Sequence, residues 1–130
     1  MNILLTVDGC AKIADFGLAR VLRDLATRVS AWEAAGSLAY MAPEQTGRMN
    51  CAMDHRADLY ASGILFYELL TGFVPFPSHD PLEIIHAHIA RKPVPPAVKN
   101  SVVPEAVSNI VMKLLSKTMG DRYQSGYGAM

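Results

Sequence analysis

The chain has 130 residues, of which 51% are hydrophobic and 18% are charged. This composition is sufficient for a buried core and excludes a disordered tail. Twelve basic residues balance twelve acidic residues, so we expect no nucleic-acid partner and no attraction to anionic membranes. The two cysteines, Cys10 and Cys51, have no metal-ligand spacing and fit a reducing, cytoplasmic environment.

The N-terminal residues predict a β-hairpin. Two short β-type runs, NILLT and AKIAD, flank Val7-Asp8-Gly9-Cys10. Asp-Gly between apolar runs is a strong hairpin signal, because glycine adopts a positive φ without steric cost. From Gly17 to Gly36 the pattern is weakly periodic and predicts a long loop with room for one helical turn. Loops of this length are usually functional in compact domains.

The first predicted helix spans residues 54–72. Asp54 is its expected cap, Gly72 its expected end, and Pro75 stands just beyond. The centre of this helix is apolar nearly all round, so we expect it to be buried on every side. Glu68, Gly72 and Pro75 interrupt the apolar run, which is too short to span a membrane. No membrane insertion is therefore expected.

Two further helices are predicted. Residues 80–92 carry a complete start signal, with Asp80 as cap and Pro81 at the first helical position. Residues 104–117 place Lys113 and Lys117 outside and five apolar residues at helical spacing. Those apolar residues are Val107, Ile110, Val111, Leu114 and Leu115. The stretch between the two helices predicts a proline-rich connector.

The order of these features resembles the C-terminal lobe of a protein kinase. The hairpin is followed by Asp15-Phe16-Gly17, a long loop, Ala42-Pro43-Glu44 and a buried helix, with Arg122 near the end. The resemblance covers nearly the whole chain. It implies a mainly α fold with a small N-terminal β-hairpin: a kinase-like C-lobe, truncated at both ends. It divides the chain into a hairpin and metal turn (1–15), an activation segment (15–44) and a helical C-lobe (45–130).

Asn2 and Asp15 match the two metal-binding positions of that family. Phosphoryl transfer uses Mg²⁺ to neutralise charge on the phosphates of ATP, and Mg²⁺ prefers hard oxygen ligands. The resemblance therefore implies ATP and Mg²⁺ as cofactors of a complete kinase domain. An ordinary turn aspartate is the alternative for Asp15, and the segment that would identify Asn2 is absent.

The resemblance also assigns roles within the activation segment. Phe16 would pack inward, and Gly17 would give the metal turn its freedom. Residues 36–44 would form the substrate-docking loop, where Ser37 is typical of serine/threonine kinases. A phosphate orders such a loop only if arginines meet it, and Arg20, Arg23 and Arg28 lie nearby. The candidate phosphorylation sites are Thr27, Ser30 and Ser37.

Several residues are similar to structural positions of the family. Ala42 and Pro43 belong to the docking loop. Glu44 and Arg122 correspond to a buried pair that ties this loop to the lobe, a role that suits the planar fork of arginine. Asp58 corresponds to an aspartate that holds the backbone of the catalytic loop. Unrelated surface charges remain the alternative for the pair.

The catalytic base of the family stands five residues before the metal-binding asparagine, hence upstream of Asn2. The phosphate clamp and the adenine pocket would also lie outside, so we expect this chain alone to be catalytically incompetent. Without the upstream helices, an apolar flank of the first helix would be exposed and stability would be marginal. That flank comprises Leu65, Phe66, Leu69 and Leu70.

A closer resemblance is to the kinase domain at the front of large bacterial and fungal multi-sensor hybrid kinases, which implies signal transduction on protein substrates. The expected partners are the missing N-lobe, the upstream C-lobe helices, and downstream ATPase, sensor and histidine kinase modules. The alternatives are a pseudokinase-like binding module that docks through Arg91-Lys92, or a gene remnant. A histidine metal site is not expected, because His86 and His88 point away from one another on a helix.

Overall fold

The computed structural model describes residues 3–13, 38–49 and 52–129. The chain divides into two units, Met1–Ser30 and Ala31–Met130, and each is described by itself. Some of the residues singled out above lie outside the described ranges: Asn2, Asp15, Phe16, Gly17, Thr27, Ser30 and Ser37.

The N-terminal unit contains the expected hairpin. Strands β1 (Ile3–Leu5) and β2 (Ala11–Ile13) pair antiparallel, with Ile3 opposite Ile13. Gly9 has a φ of 83° in the turn, which only glycine adopts readily. The Thr6 hydroxyl donates to the carbonyl of Cys10 and accepts from its backbone N–H, both at 3.0 Å. The side chain of Thr6 thus supplements the Asp-Gly turn.

The described part of the second unit contains four α-helices. They are α1 (Arg56–Thr71), α2 (Pro81–Ala90), α3 (Pro96–Lys99) and α4 (Glu105–Leu114). Short 3-10 helices lie at Pro43–Thr46, Met119–Asp121 and Gly126–Ala129. The three predicted helices are confirmed, and none of the described helices is long and apolar enough to cross a membrane. Helix α3 was not predicted, because a proline-rich stretch usually indicates a connector.

The helix ends follow local chemistry. Helix α1 begins two residues after Asp54, whose Oδ1 accepts the backbone N–H of Arg56 at 2.9 Å. It ends at Gly72, which has a φ of 81° and donates its N–H to the carbonyl of Glu68. Helix α2 begins as predicted: Asp80 accepts the N–H of Leu82 at 2.9 Å, and Pro81 occupies the first turn. Bonds between residues close in sequence therefore set where α1 begins and ends and where α2 begins.

The core lies between α1 and α4. Tyr60, Ile64 and Tyr67 of α1 are buried against Val111 and Leu115. Gly63 allows this close approach, since a Cβ at that position would lie 2.8 Å from Cβ of Leu114. Real Cβ atoms do not come so near one another, so the helices could not pack at this distance around a larger residue.

The outer face of α1 corrects one prediction and confirms another. Burial on every side is wrong in this structure, because Phe66 is 46% exposed and Leu69 is 72% exposed. The expected exposure of an apolar flank is confirmed for these two residues, whereas Leu65 and Leu70 are half-buried. Phe73, just beyond the helix, is also exposed. Together these residues form an apolar surface on one side of α1.

Replacing Gly63 with alanine should destabilise the chain. The new methyl group would collide with Leu114, and overpacking of this kind costs about 1–3 kcal/mol. Urea unfolding of the full chain measures the loss. Gly120→Ala is the matched control, because nothing lies within 4 Å of a Cβ there. Equal midpoints for the two variants would contradict close packing of α1 on α4.

Candidate functional site

The 38–49 segment forms a turn with a buried centre. Ala42, Pro43 and Glu44 are buried, and the 3-10 helix Pro43–Thr46 follows them. The side chain of Gln45 reaches back to accept the N–H of Ala42 at 2.8 Å, and the Thr46 hydroxyl donates to the carbonyl of Pro43 at 2.6 Å. Because its polar groups are bonded locally, this segment presents a defined backbone surface.

Glu44 makes a buried ion pair with Arg122. Nη1 donates to Oε1 at 2.6 Å and Nη2 donates to Oε2 at 2.8 Å, so the pair is bidentate. Both side chains are almost completely buried. The pair that the family resemblance implies is therefore present, and it ties the 38–49 segment to the far end of the chain.

Arg122 also binds three backbone carbonyls. Nε donates to Ser116, Nη1 to Arg56 and Nη2 to Lys117. A guanidinium has five N–H groups, and each of them has an acceptor here. The plane of the guanidinium lies over the Tyr60 ring at 4.8 Å. Full satisfaction of its donors makes burial of this charge tolerable.

The pKa of Glu44 reflects opposing influences. Burial is the largest and raises the pKa of the carboxyl group, but the hydrogen bonds from Arg122 and the backbone, with the positive charge of Arg122, outweigh it. The net pKa is below its ordinary value. The pair consequently stabilises the fold at neutral pH, and its contribution declines as the pH falls and Glu44 becomes protonated.

A second anchor joins the 38–49 segment to α1. The Tyr40 hydroxyl donates to Oε2 of Glu68 in a short hydrogen bond. Burial, and then the hydrogen bond and charge of Glu68, raise the pKa of Tyr40 to about 12, so the phenol remains a donor at neutral pH. Sequence reasoning missed this contact, because no spacing rule relates residues of a loop and a helix so far apart.

Beside the ion pair lies a cluster of Tyr60, His88 and Lys117. The Tyr60 hydroxyl is 2.9 Å from Nδ1 of His88 and 3.3 Å from Nζ of Lys117. Nζ also donates to the carbonyl of Ala87 at 3.1 Å and lies 4.4 Å from the centre of the Phe76 ring. The prediction that Lys117 lies outside is wrong, because aromatic faces and a helix carbonyl replace water around its ammonium group. Lys113 is exposed, as expected.

Burial controls the charge states in this cluster. Burial, and then the charge of Lys117, lower the pKa of His88 to about 4. Burial, and then the charge of Arg122, lower the pKa of Lys117 to about 8. Burial is also the largest influence that raises the pKa of Tyr60. At neutral pH the cluster therefore contains a neutral imidazole and one ammonium group.

Asp58 is the remaining predicted site residue within the described ranges, and it lies in the first turn of α1 with its side chain exposed. The predicted metal and phosphorylation residues lie outside the described ranges. Within residues 3–13, 38–49 and 52–129, no group of three or more acidic, histidine or cysteine side chains could hold a metal ion. The described part of the site is the anchored 38–49 segment.

Comparison with known proteins places these features in a family. A model described as the protein kinase domain matches residues 1–126. The hybrid signal transduction histidine kinase G of Dictyostelium discoideum is 52% identical over 89 residues, covering 68% of this chain and 3% of the relative. A probable serine/threonine-protein kinase of Clostridium perfringens is 37% identical over 124 residues, covering 95% of the chain and 18% of the relative.

A further relative is the serine/threonine-protein kinase PknB of Mycolicibacterium smegmatis. It is 34% identical over 125 residues, which cover 95% of this chain and 20% of the relative. The chain therefore spans one fifth or less of the length of each of these relatives.

Removing the guanidinium should be strongly destabilising. Arg122→Met leaves the carboxylate of Glu44 buried without a partner, which costs about 3–5 kcal/mol. Arg122→Lys should recover only part of the loss, because an ammonium cannot make the two parallel bonds. Thermal and urea unfolding measure both. Arg56→Met removes an exposed pair with Asp54 and should cost much less, so comparable losses at both positions would contradict the buried role of Arg122.

The burial of His88 predicts a pH dependence. Its pKa falls from 6.5 in the unfolded chain to about 4 when folded, so between these values only the unfolded state binds the proton. Stability should therefore decrease as the pH falls from 6.5 towards 4. His88→Gln should flatten this part of the pH profile of the unfolding midpoint. His86→Gln, on the exposed side of α2, should retain the wild-type slope; a steep slope in His88→Gln would refute the assignment.

Proposed function

This chain belongs to the protein kinase domain family, and we propose that it is a segment of a serine/threonine kinase domain acting in signal transduction in the cytoplasm. In its complete form, such a domain transfers a phosphoryl group from ATP to a serine or threonine of a protein. The observation that carries the proposal is the double anchoring of the 38–49 segment, by Glu44 to Arg122 and by Tyr40 to Glu68. A substrate hydroxyl reacts only when it is held in place, and a rigid docking surface supplies that positioning.

Two residues of the N-terminal unit are proposed to hold Mg²⁺. In the sequence, Asn2 directly precedes β1 and Asp15 stands two residues after β2. An amide oxygen and a carboxylate suit Mg²⁺. When bound, the metal would offset negative charge on the phosphates of ATP. Phe16 and Gly17 complete this proposed turn, and phosphorylation at Thr27, Ser30 or Ser37 would regulate the segment between it and Glu44.

We propose that residues 1–130 alone do not catalyse the reaction. In the kinase template the base lies five residues before the metal-binding asparagine, a position that numbering places before Asn2. The relatives that share this region are five or more times longer. The catalytic base, phosphate clamp and adenine pocket would come from other parts of such a protein, and in a hybrid kinase so would sensor, ATPase and histidine kinase modules.

The apolar surface on α1 favours a binding partner under both candidate functions, the kinase segment and the binding module. Phe66, Leu69 and Phe73 expose large hydrophobic side chains on one side of the helix, and contiguous apolar surface of this type marks an interaction site. In the leading proposal, upstream helices of the same kinase domain cover it. The same observation favours the second candidate, a non-catalytic pseudokinase-like binding module that docks another protein there.

Assays of Mg-ATP binding and phosphorylation distinguish the kinase segment from the binding module. We expect residues 1–130 to show no saturable Mg-ATP binding by calorimetry. The longest product translated from the same gene should bind Mg-ATP and phosphorylate a basic protein substrate. Asp15→Ala in that product should abolish phosphorylation, because a proposed Mg²⁺ ligand is lost. Asp8→Ala, in the hairpin turn of the same unit, is the matched control and should remain active.

Each alternative result has a clear meaning. Saturable binding of Mg-ATP to residues 1–130, lost on Asp15→Ala, would replace the proposed incompetence with an active chain. A folded longer product that neither binds Mg-ATP nor phosphorylates the substrate would exclude the kinase proposal and favour the binding module.

A further inference from the structure

The Tyr60–His88–Lys117 cluster contains three titratable side chains to which the proposed function gives no role. His88 is 1% exposed, and its Nε2 has no hydrogen-bond partner among the residues that the structure describes. Buried polar atoms are nearly always paired, because an unpaired one forfeits the hydrogen bonds it made with water. The exception raises the question of whether Nε2 carries a proton and what determines this.

The donors on each side chain determine the direction of the hydrogen bonds that link Lys117, Tyr60 and His88. A charged lysine has three N–H donors and no acceptor, so Lys117 can only donate to the Tyr60 hydroxyl. The single proton of Tyr60 is then free to point at Nδ1 of His88, 2.9 Å away. A nitrogen that accepts this proton cannot carry its own. A neutral imidazole must therefore carry its one ring proton on Nε2.

We propose that Lys117 is a positioning residue that acts through Tyr60 to hold His88 with its ring proton on Nε2, so that this N–H faces the backbone at Leu38 and Ala39. Burial is the largest influence on the pKa of His88 and lowers it, while the backbone at Leu38 and Ala39 acts in the opposite direction. Carbonyl oxygens facing an N–H donor have that effect.

Long-range ¹H–¹⁵N correlation spectra of the ¹⁵N-histidine-labelled full chain test the proposal, and His88→Gln assigns the signal. At neutral pH we expect Nδ1 of His88 at the frequency of an unprotonated ring nitrogen and Nε2 at that of a protonated one. No nucleotide is present, so the result is independent of phosphoryl transfer.

Variants of Lys117 separate its donor role from simple packing. Lys117→Arg remains a donor and should keep the proton on Nε2 of His88. Lys117→Met fills space but cannot donate, and should lose the preference for Nε2. Lys113→Met, the exposed control, should behave like the wild type. Retention of the Nε2 proton in Lys117→Met, or a protonated Nδ1 of His88 in the wild type at neutral pH, would overturn the proposal.

Discussion

Arg122 is the residue on which the described helical unit depends. Its five N–H groups join the 38–49 segment through Glu44, the start of α1 through the carbonyl of Arg56, and the turn after α4 through Ser116 and Lys117. A buried charge is tolerated only when its hydrogen bonds are complete. The three parts of the chain that supply those bonds are therefore fixed relative to one another.

The polar groups next to Arg122 are also joined by hydrogen bonds. The guanidinium lies over the ring of Tyr60, and the hydroxyl of the same residue contacts His88 and Lys117. Lys117 in turn reaches the carbonyl of Ala87 near the end of α2. The ion pair and the cluster form one continuous polar network beneath the 38–49 segment, and in such networks the parts strengthen one another.

The outer side of α1 has the opposite character. Its inner side carries Tyr60, Ile64 and Tyr67 against α4, while Phe66 and Leu69 are exposed. A helix that is apolar all round needs neighbours on all sides, and the described residues supply them on one side. The polar network anchors the 38–49 segment, whereas the outer side of α1 leaves large apolar side chains exposed.

Much of the architecture could be predicted from local chemistry. Asp-Gly between apolar runs predicts the hairpin, Asp80-Pro81 predicts the start of α2, and helical spacing predicts α4, because each depends on neighbours in sequence. The pairing of Glu44 with Arg122 came from the family resemblance, since no local rule relates positions so far apart. Helix α3 escaped prediction because its prolines are typical of both connectors and first helical turns.

The sequence by itself determined the family, the element types and the apolar spacing of α4, because these follow from residue type and short-range periodicity. Only the tertiary structure decided that Lys117 turns inward, that His88 is buried and that Tyr40 reaches Glu68. Periodicity describes the surface of one helix and carries no information on what packs against it. Whether a polar side chain finds water, an aromatic face or a carbonyl depends on residues that folding brings together.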